Sequence, residues 1–314
     1  MTTDTMTNQA LLDDVRGGLS LPQKSLPCIW FYDDRGSELF QQITHLPEYY
    51  LTRTEQAILD QRVAGLSELL GPGAVIVEYG AGASIKTRTV LSALNAPSSY
   101  WPVDISADFV RESADKIAEL YPDLTVTPWV GDFMSGGPDR TQFQNAYTVL
   151  GFFPGSTIGN LSDTDIAAFL KTVRRQLGED ARFLIGADLK KEPSILIDAY
   201  DDAAGVTADF NMNLLVRIND ELGADFDLEN FCHEARWNED ASQIEMHLVS
   251  QCAQTVTVQG DQFVFQKDET IHTENSRKFT VNALTELSAA AGWALEELWT
   301  DPDNLYGMLL MKAA

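Results

Sequence analysis

The stretch from Val75 to Arg88, V-I-V-E-Y-G-A-G-A-S-I-K-T-R, constrains the fold most. An apolar run ends in an acidic residue and breaks at once into closely spaced glycines, the pattern of a buried strand feeding a tight turn. Val75, Ile76 and Val77 suit that strand, Gly80 and Gly82 let the backbone bend and approach a ligand, and Ser84 can cap a helix beginning near Ile85. From there strand and helix alternate. Strands are expected near 75–79, 100–103, 124–130, 146–152 and 182–188, with helices near 84–95, 106–119 and 163–177. Ser162 is the expected N-cap of the last helix and Gly178 its stop. Such alternation predicts an α/β fold, a mostly parallel sheet with helices on both faces. Ligands of such sheets bind outside the carboxyl ends of the strands. Those ends carry Glu78-Tyr79-Gly80, Asp104, Gly131-Asp132-Phe133, Gly151 to Asn160, and Asp188.

Taken alone, the glycine turn serves as an ordinary structural turn or as a cofactor cradle. The dinucleotide fingerprint would place a third glycine where Ile85 stands, and that glycine permits close helix packing under a pyrophosphate, so NAD is disfavoured. A cofactor without a pyrophosphate, such as S-adenosylmethionine, asks only for close approach at Gly80 and Gly82 and a carboxylate for its ribose. Asp104, ending the apolar run Tyr100 to Val103, stands at about the 20-residue spacing expected of that carboxylate. The net charge of -25 and pI near 4.3 oppose nucleic acid and anionic membranes, whose phosphates the summed field repels, and leave a small molecule as the expected partner. Cys28, Cys232 and Cys252 are odd in number and lack C-x-x-C spacing, which suggests reduced thiols in a cytoplasmic protein. No secretory leader or membrane-length apolar run is evident, and a monomer is expected.

Ahead of the sheet, Leu11 to Leu19 suggests a short helix, Asp33 to Ser37 a turn, Glu38 to Ile43 a helix, and Thr54 the cap of a helix through Leu66. Residues 1–60 form an N-terminal helical arm able to cover the site, and 61–190 with 279–314 form the core. After Asp188 the alternation stops. Helices near Ile195 to Gly205 and Phe210 to Leu222, then strands near 244–250, 255–258 and 263–266, mark 191–278 as an inserted α+β domain. Helix returns at Thr280 to Ala291, and Leu295 to Trp299 with Tyr306 to Met311 suggest a closing strand pair.

The string G-F-F-P-G-S-T-I-G-N, Gly151 to Asn160, is a tightly specified loop after a buried strand. Asn160 can donate and accept, which suits an amino acid's amine and carboxylate, or it can simply cap the next helix. Lys86 is either a helix-surface lysine or a partner for a cofactor carboxylate, and Glu274 either a solvated charge or a ligand-binding acid.

Together these strings resemble a known family. Tyr32 with Asp33 to Ser37, L-P-E-Y-Y-L-T-R-T-E at 46–55, E-Y-G-A-G-A-S-I-K-T-R at 78–88, G-D-F at 131–133, F-P-G-S-T-I-G-N at 153–160, A-Y-D-D-A-A-G-V-T-A-D-F-N at 199–211 and T-E-N-S-R-K-F at 273–279 are similar to the histidine-specific methyltransferases of ergothioneine biosynthesis. The resemblance runs from about residue 11 to the C-terminus. It implies a Rossmann-like S-adenosylmethionine-dependent methyltransferase core with an inserted substrate-binding domain, and trimethylation of the α-amino group of L-histidine to hercynine. It further implies that Tyr32, Gly80, Lys86, Asp104, Asp132 and Phe133 contact the cofactor, with Asp104 on the ribose and Asp132 and Phe133 on the adenine. Tyr49, Gly155, Asn160, Tyr200, Thr207, Met246, Glu274, Asn275 and Ser276 are implied on the substrate side, Tyr49 and Asn160 as the catalytic pair.

Methyl transfer from a sulfonium is an in-line displacement, so the protein aligns a neutral amine with the methyl carbon and excludes water. No metal is expected, and His45, His233, His247 and His272 lack metal-ligand spacing. Glu274 and Ser276, two apart on an extended segment, could hydrogen-bond both imidazole nitrogens and so select histidine. Tyr49 is a poor general base at an ordinary tyrosine pKa of about 10, and release of the proton to water serves equally. The rival readings are an Nα-methyltransferase for another amino acid such as tryptophan, and a non-catalytic sensor of histidine or cofactor.

Overall fold

The computed structural model describes residues 3–81, 85–143 and 148–314. Gly82 and Ser84, expected to bend the turn and cap the next helix, lie outside the described residues, as do residues 146 and 147 of the fourth expected strand. In chain order the elements are α1 (Thr3–Leu19), β1 (Lys24–Ser25), α2 (Asp34–Ile43), α3 (Leu51–Arg62), α4 (Gly65–Leu70), β2 (Val75–Tyr79), α5 (Ile85–Ala93), β3 (Ser99–Asp104), α6 (Ala107–Leu120), β4 (Thr125–Val126), β5 (Trp129–Val130) and β6 (Val149–Phe153). They continue with α7 (Asp163–Leu177), β7 (Arg182–Asp188), α8 (Pro193–Tyr200), α9 (Val206–Leu222), β8 (Phe231–Asn238), β9 (Gln243–Ser250), β10 (Gln254–Val258), β11 (Asp261–Phe265), β12 (Thr270–Arg277), α10 (Val281–Ala289), β13 (Trp293–Thr300) and β14 (Tyr306–Ala313). No helix among the described residues is long and apolar enough to cross a membrane.

The chain divides into two compact units, Met1–Tyr50 with Lys191–Ser276, and Leu51–Lys190 with Arg277–Ala314. The second is the α/β unit. Its sheet runs β13-β14-β7-β6-β2-β3-β4, with β5 also on β3. β2 pairs in parallel with β3 and β6, β6 with β7, and β3 with β4 and β5. β14 is antiparallel to both neighbours. The strand order reverses at β2, the Rossmann-like arrangement that leaves a crevice at the carboxyl ends. β2 and β6 are buried throughout, as strands covered on both faces must be. Ser162 caps α7, accepting from the Asp165 N–H, and the apolar stripe Ile166, Phe169, Leu170, Val173 and Leu177 packs into the core with Tyr79, Phe153, Phe183 and Trp293. The single strand expected over 124–130 is two short pieces, because Pro128 has no N–H for the ladder. α3 starts at Leu51, so Thr54 lies inside it rather than capping it.

The other unit unites the first fifty residues with the insertion, where the sequence suggested a separate arm reaching to residue 60. The physical reason is that the arm's apolar residues are core residues of this unit. Leu11, Val15, Leu19, Trp30 and Phe31 are buried, Phe31 lies 4.6 Å from the Phe210 ring of α9, and Arg217 of α9 stacks over Trp30 while donating to its carbonyl. β1 adds an edge strand in parallel to β12, in a sheet ordered β1-β12-β9-β8, with β10 and β11 as a separate hairpin. α8 and α9 pack against β8 and β9. β8 and the full extent of β12 escaped the sequence reading because F-C-H-E-A-R-W-N is half polar and T-I-H-T-E-N-S-R almost wholly so, and neither offers an apolar run of strand length.

Candidate active site

In the α/β unit, strand ends bring four expected residues to one edge. Gly80 follows β2 at φ 67°, a left-handed conformation that glycine adopts without strain, and its N–H donates to the Val103 carbonyl. A Cβ there would meet only Phe153 and Thr157 at 4.0 Å, so conformation rather than space requires the glycine. Asp104 closes β3, half-buried. Burial raises its carboxyl above the ordinary value against the hydrogen bonds from the Ser106 and Ile105 N–H groups, which lower it. The Gly131 N–H donates to the Asp104 carbonyl at 2.9 Å, which ties the Gly131-Asp132-Phe133 turn to this strand end. Asp132 is exposed and accepts from the Met134 N–H and the Ser135 hydroxyl. Phe133 packs edge-on against Phe153 and Phe169, which leaves its half-buried ring fixed in place.

Lys86, in the first turn of α5, ion-pairs with Glu55 of α3, a carboxylate with no exposed surface. The same carboxylate accepts from the Gly155 N–H with both oxygens at 3.0 Å. Sequence reasoning did not single out Glu55, although it stands in the T-R-T-E string, because nothing local announces the partner of a buried acid. Gly155 and Ser156 both take positive φ, 81° and 58°, the second sparsely populated for a residue with a Cβ. Asn160 ends the following 3-10 turn, half-buried. It is not the cap of α7, which is Ser162. Asp188, at the end of β7, is wholly buried and paired with the equally buried Lys278 at 2.8 Å.

The other unit holds the aromatic residues and most of those expected on the substrate side. Tyr49 lies edge-on to Tyr200 at 6.0 Å, and the Tyr200 hydroxyl is 2.7 Å from the Ser276 hydroxyl. Tyr32, expected on the cofactor, stands in this unit against Phe40 and Phe210. Crowding by protein and the negative charge of Glu274 hold its hydroxyl above the ordinary tyrosine range. Glu274 lies half-buried on β12 rather than in a solvated loop, and burial with its charge also pushes the Cys28 thiol up to about 12. Met246 is buried in β9, and Thr207, in the first turn of α9, donates its N–H to Asp202. Asn275 accepts from the Gln243 amide at 2.7 Å. Beneath these, Asn211 has no exposed surface, contacts His233 and accepts from Thr273, while the other nitrogen of His233 is 2.8 Å from the Tyr200 carbonyl. Burial holds His233 below its ordinary pKa, so a neutral ring donates to Tyr200 and accepts from Asn211.

One group among the described residues offers metal-type donors together, Glu245, His247 and His272, each with an atom within 4.8 Å of the others. Their spacing gave no hint, since β9 and β12 become neighbours only in the sheet. The two rings stack at 4.9 Å and 23°, and His247 Nε2 lies 3.2 Å from a Glu245 carboxylate oxygen.

The family model described as "Histidine-specific methyltransferase, SAM-dependent" matches residues 11–313. This chain belongs to that family. Histidine N-alpha-methyltransferase of Mycolicibacterium smegmatis (strain ATCC 700084 / mc(2)155) is 42% identical over 307 residues, covering 96% of this chain and 94% of that protein. The protein of the same name from Mycobacterium tuberculosis (strain CDC 1551 / Oshkosh) is 40% identical over 306 residues, covering 96% and 94%. Ergothioneine biosynthesis protein 1 of Neurospora crassa is 28% identical over 299 residues, which span 92% of this chain and 33% of that longer protein. The chain is thus an S-adenosylmethionine-dependent N-methyltransferase of the histidine-specific family, and the sulfonium cofactor is its methyl donor.

Proposed function

We propose that this methyltransferase converts L-histidine to its Nα-trimethylammonium betaine, hercynine, the opening step of ergothioneine biosynthesis. In each of three transfers the α-nitrogen lone pair forms a bond to the methyl carbon while the sulfur–methyl bond breaks, and S-adenosylhomocysteine keeps the bonding electrons. The incoming ammonium sheds three protons in all, and the last transfer leaves a fixed positive charge.

The observation that carries this reading is the meeting of Tyr200 with Ser276, at 2.7 Å across 76 residues of sequence, beside Tyr49 and on the strand that holds Glu274. In the proposed complex Glu274 and Ser276 engage the imidazole nitrogens, Tyr200 and Asn160 the carboxylate and amine, and Gly155, Thr207, Met246 and Asn275 border the substrate. Gly80, Lys86, Asp104, Asp132, Phe133 and Tyr32 hold the methyl donor, with Asp104 on the ribose. Preorganised hydrogen bonds of this kind align the amine and spend little on reorganisation at the moment of transfer. Tyr49 orients the amine, and water takes the protons.

Incubating the purified enzyme with the methyl donor and a panel of amino acids tests the substrate by mass spectrometry. Histidine should gain three methyl groups and tryptophan none. A gain on tryptophan with histidine unchanged would overturn the reading, and calorimetric binding of histidine without turnover would favour a sensor.

A further inference from the structure

We propose that Glu55 is a positioning residue, which presents Lys86 to the carboxylate of the methyl donor and at the same time fixes the loop that ends in Asn160. The proposal rests on the assignment of Lys86 to the cofactor. Its foundation is a slot built for one carboxylate. Glu55 has no exposed surface, Lys86 pairs with it from α5, and Gly155 donates its N–H to both of its oxygens. β7 supplies the space. Gly186 sits inside this buried strand, where glycine weakens a strand, and a Cβ there would overlap a Glu55 carboxylate oxygen and crowd the Tyr306 hydroxyl. The strand has given up a side chain where the acid lies.

Two consequences follow from charge and conformation. A lysine stem is flexible, and a buried carboxylate at its tip holds the ammonium in one place before a second carboxylate arrives. The Gly155–Ser156 pair is in a sparsely populated conformation and is restrained on both sides, by Glu55 at the Gly155 N–H and by the Asp188 N–H donating to the Ser156 hydroxyl at 2.9 Å. Asn160 follows one 3-10 turn later. Glu55 thereby links the lysine assigned to the cofactor carboxylate with the loop assigned to the amine.

Titration calorimetry with S-adenosylmethionine and with its decarboxylated analogue separates this role from a merely structural one. Glu55→Gln keeps an oxygen for Gly155 but does not anchor the ammonium. It should weaken the full cofactor by about tenfold and the analogue by less than about twofold. Lys86→Met should do the same, and the double variant should be no weaker than Lys86→Met alone. Gly186→Ala, which fills the slot and leaves both charged residues in the chain, should reproduce the loss. For the loop, Glu55→Ala should lower kcat more than Glu55→Gln does. Equal weakening of both ligands in Glu55→Gln, unchanged or tighter cofactor binding, or additive effects in the double variant would overturn the proposal. A wild-type protein that bound the cofactor no better than its analogue would remove Lys86 from the cofactor carboxylate, and the inference with it.

Discussion

The α/β unit and the unit formed by the first fifty residues with the insertion place their candidate residues by different means. In the first, Gly80, Asp104 and the Asp132 turn stand at consecutive strand ends, so the parallel ladder alone brings them together through hydrogen bonds such as Gly80 to Val103 and Gly131 to Asp104. In the second, Tyr49, Tyr200 and Ser276 come from three distant segments and meet through side chains. Backbone placement survives most substitutions, whereas side-chain placement depends on a buried polar network such as Asn211, His233 and Thr273.

That contrast can be broken at its strongest point by Lys278→Ala. Asp188 and Lys278 are both without exposed side-chain surface, and removing the lysine takes the counter-charge from a buried carboxylate at the end of β7. Denaturant unfolding should reveal a loss of about 3–5 kcal/mol. Hydrogen exchange should concentrate that loss in β6, β7 and β14. Equal loss of protection in β8 and β9 would mean that the two units do not differ in this respect.

A smaller effect concerns pH. Burial raises the Glu78 carboxyl to about 7, against hydrogen bonds from Thr87 and Tyr100 that lower it. The folded chain therefore keeps a proton that the unfolded chain releases near 4.5, and the associated stability is whole below that value and lost as pH rises to about 7. Glu78→Gln cannot ionise, so its stability relative to wild type should improve by up to about 3 kcal/mol between about pH 5 and about pH 8. A difference that stays flat with pH would remove Glu78 as the titrating group.

The smallest effect sharpens the side-chain half of the comparison. Glu274→Ala should raise the KM for histidine by about 10–100-fold, the worth of a hydrogen bond to a charged group, with cofactor affinity unchanged. Unaltered histidine kinetics would take Glu274 out of the site.

Much of the α/β unit was legible in sequence because apolar runs of strand length, spaced by helical periods, permit few arrangements. Pro128 shows the limit even there, since it split an expected strand in two. Asn160 stood open between cap and ligand in the sequence, and the structure removes only the cap, which Ser162 supplies as expected. Glu55 was hidden because a buried acid is recognised by its partners, which lie 31 and 100 residues away. The aromatic arm was visible as a string, but its membership of the insertion's unit was not, since Trp30 and Phe31 declare only that they need burial.

By itself the sequence determined the Val75 strand, the glycine turn, the ribose-spaced Asp104 and, through its longer strings, the family. Local propensity and spacing suffice for these, because each depends on neighbours within a turn or one crossover. Tertiary structure alone decided that β12 would bring Ser276 to Tyr200, that Glu55 would find Lys86, Gly155 and the gap at Gly186, and that His247 and His272 would stack. Those contacts join residues whose separation carries no local signal, and only packing of the whole unit brings them together.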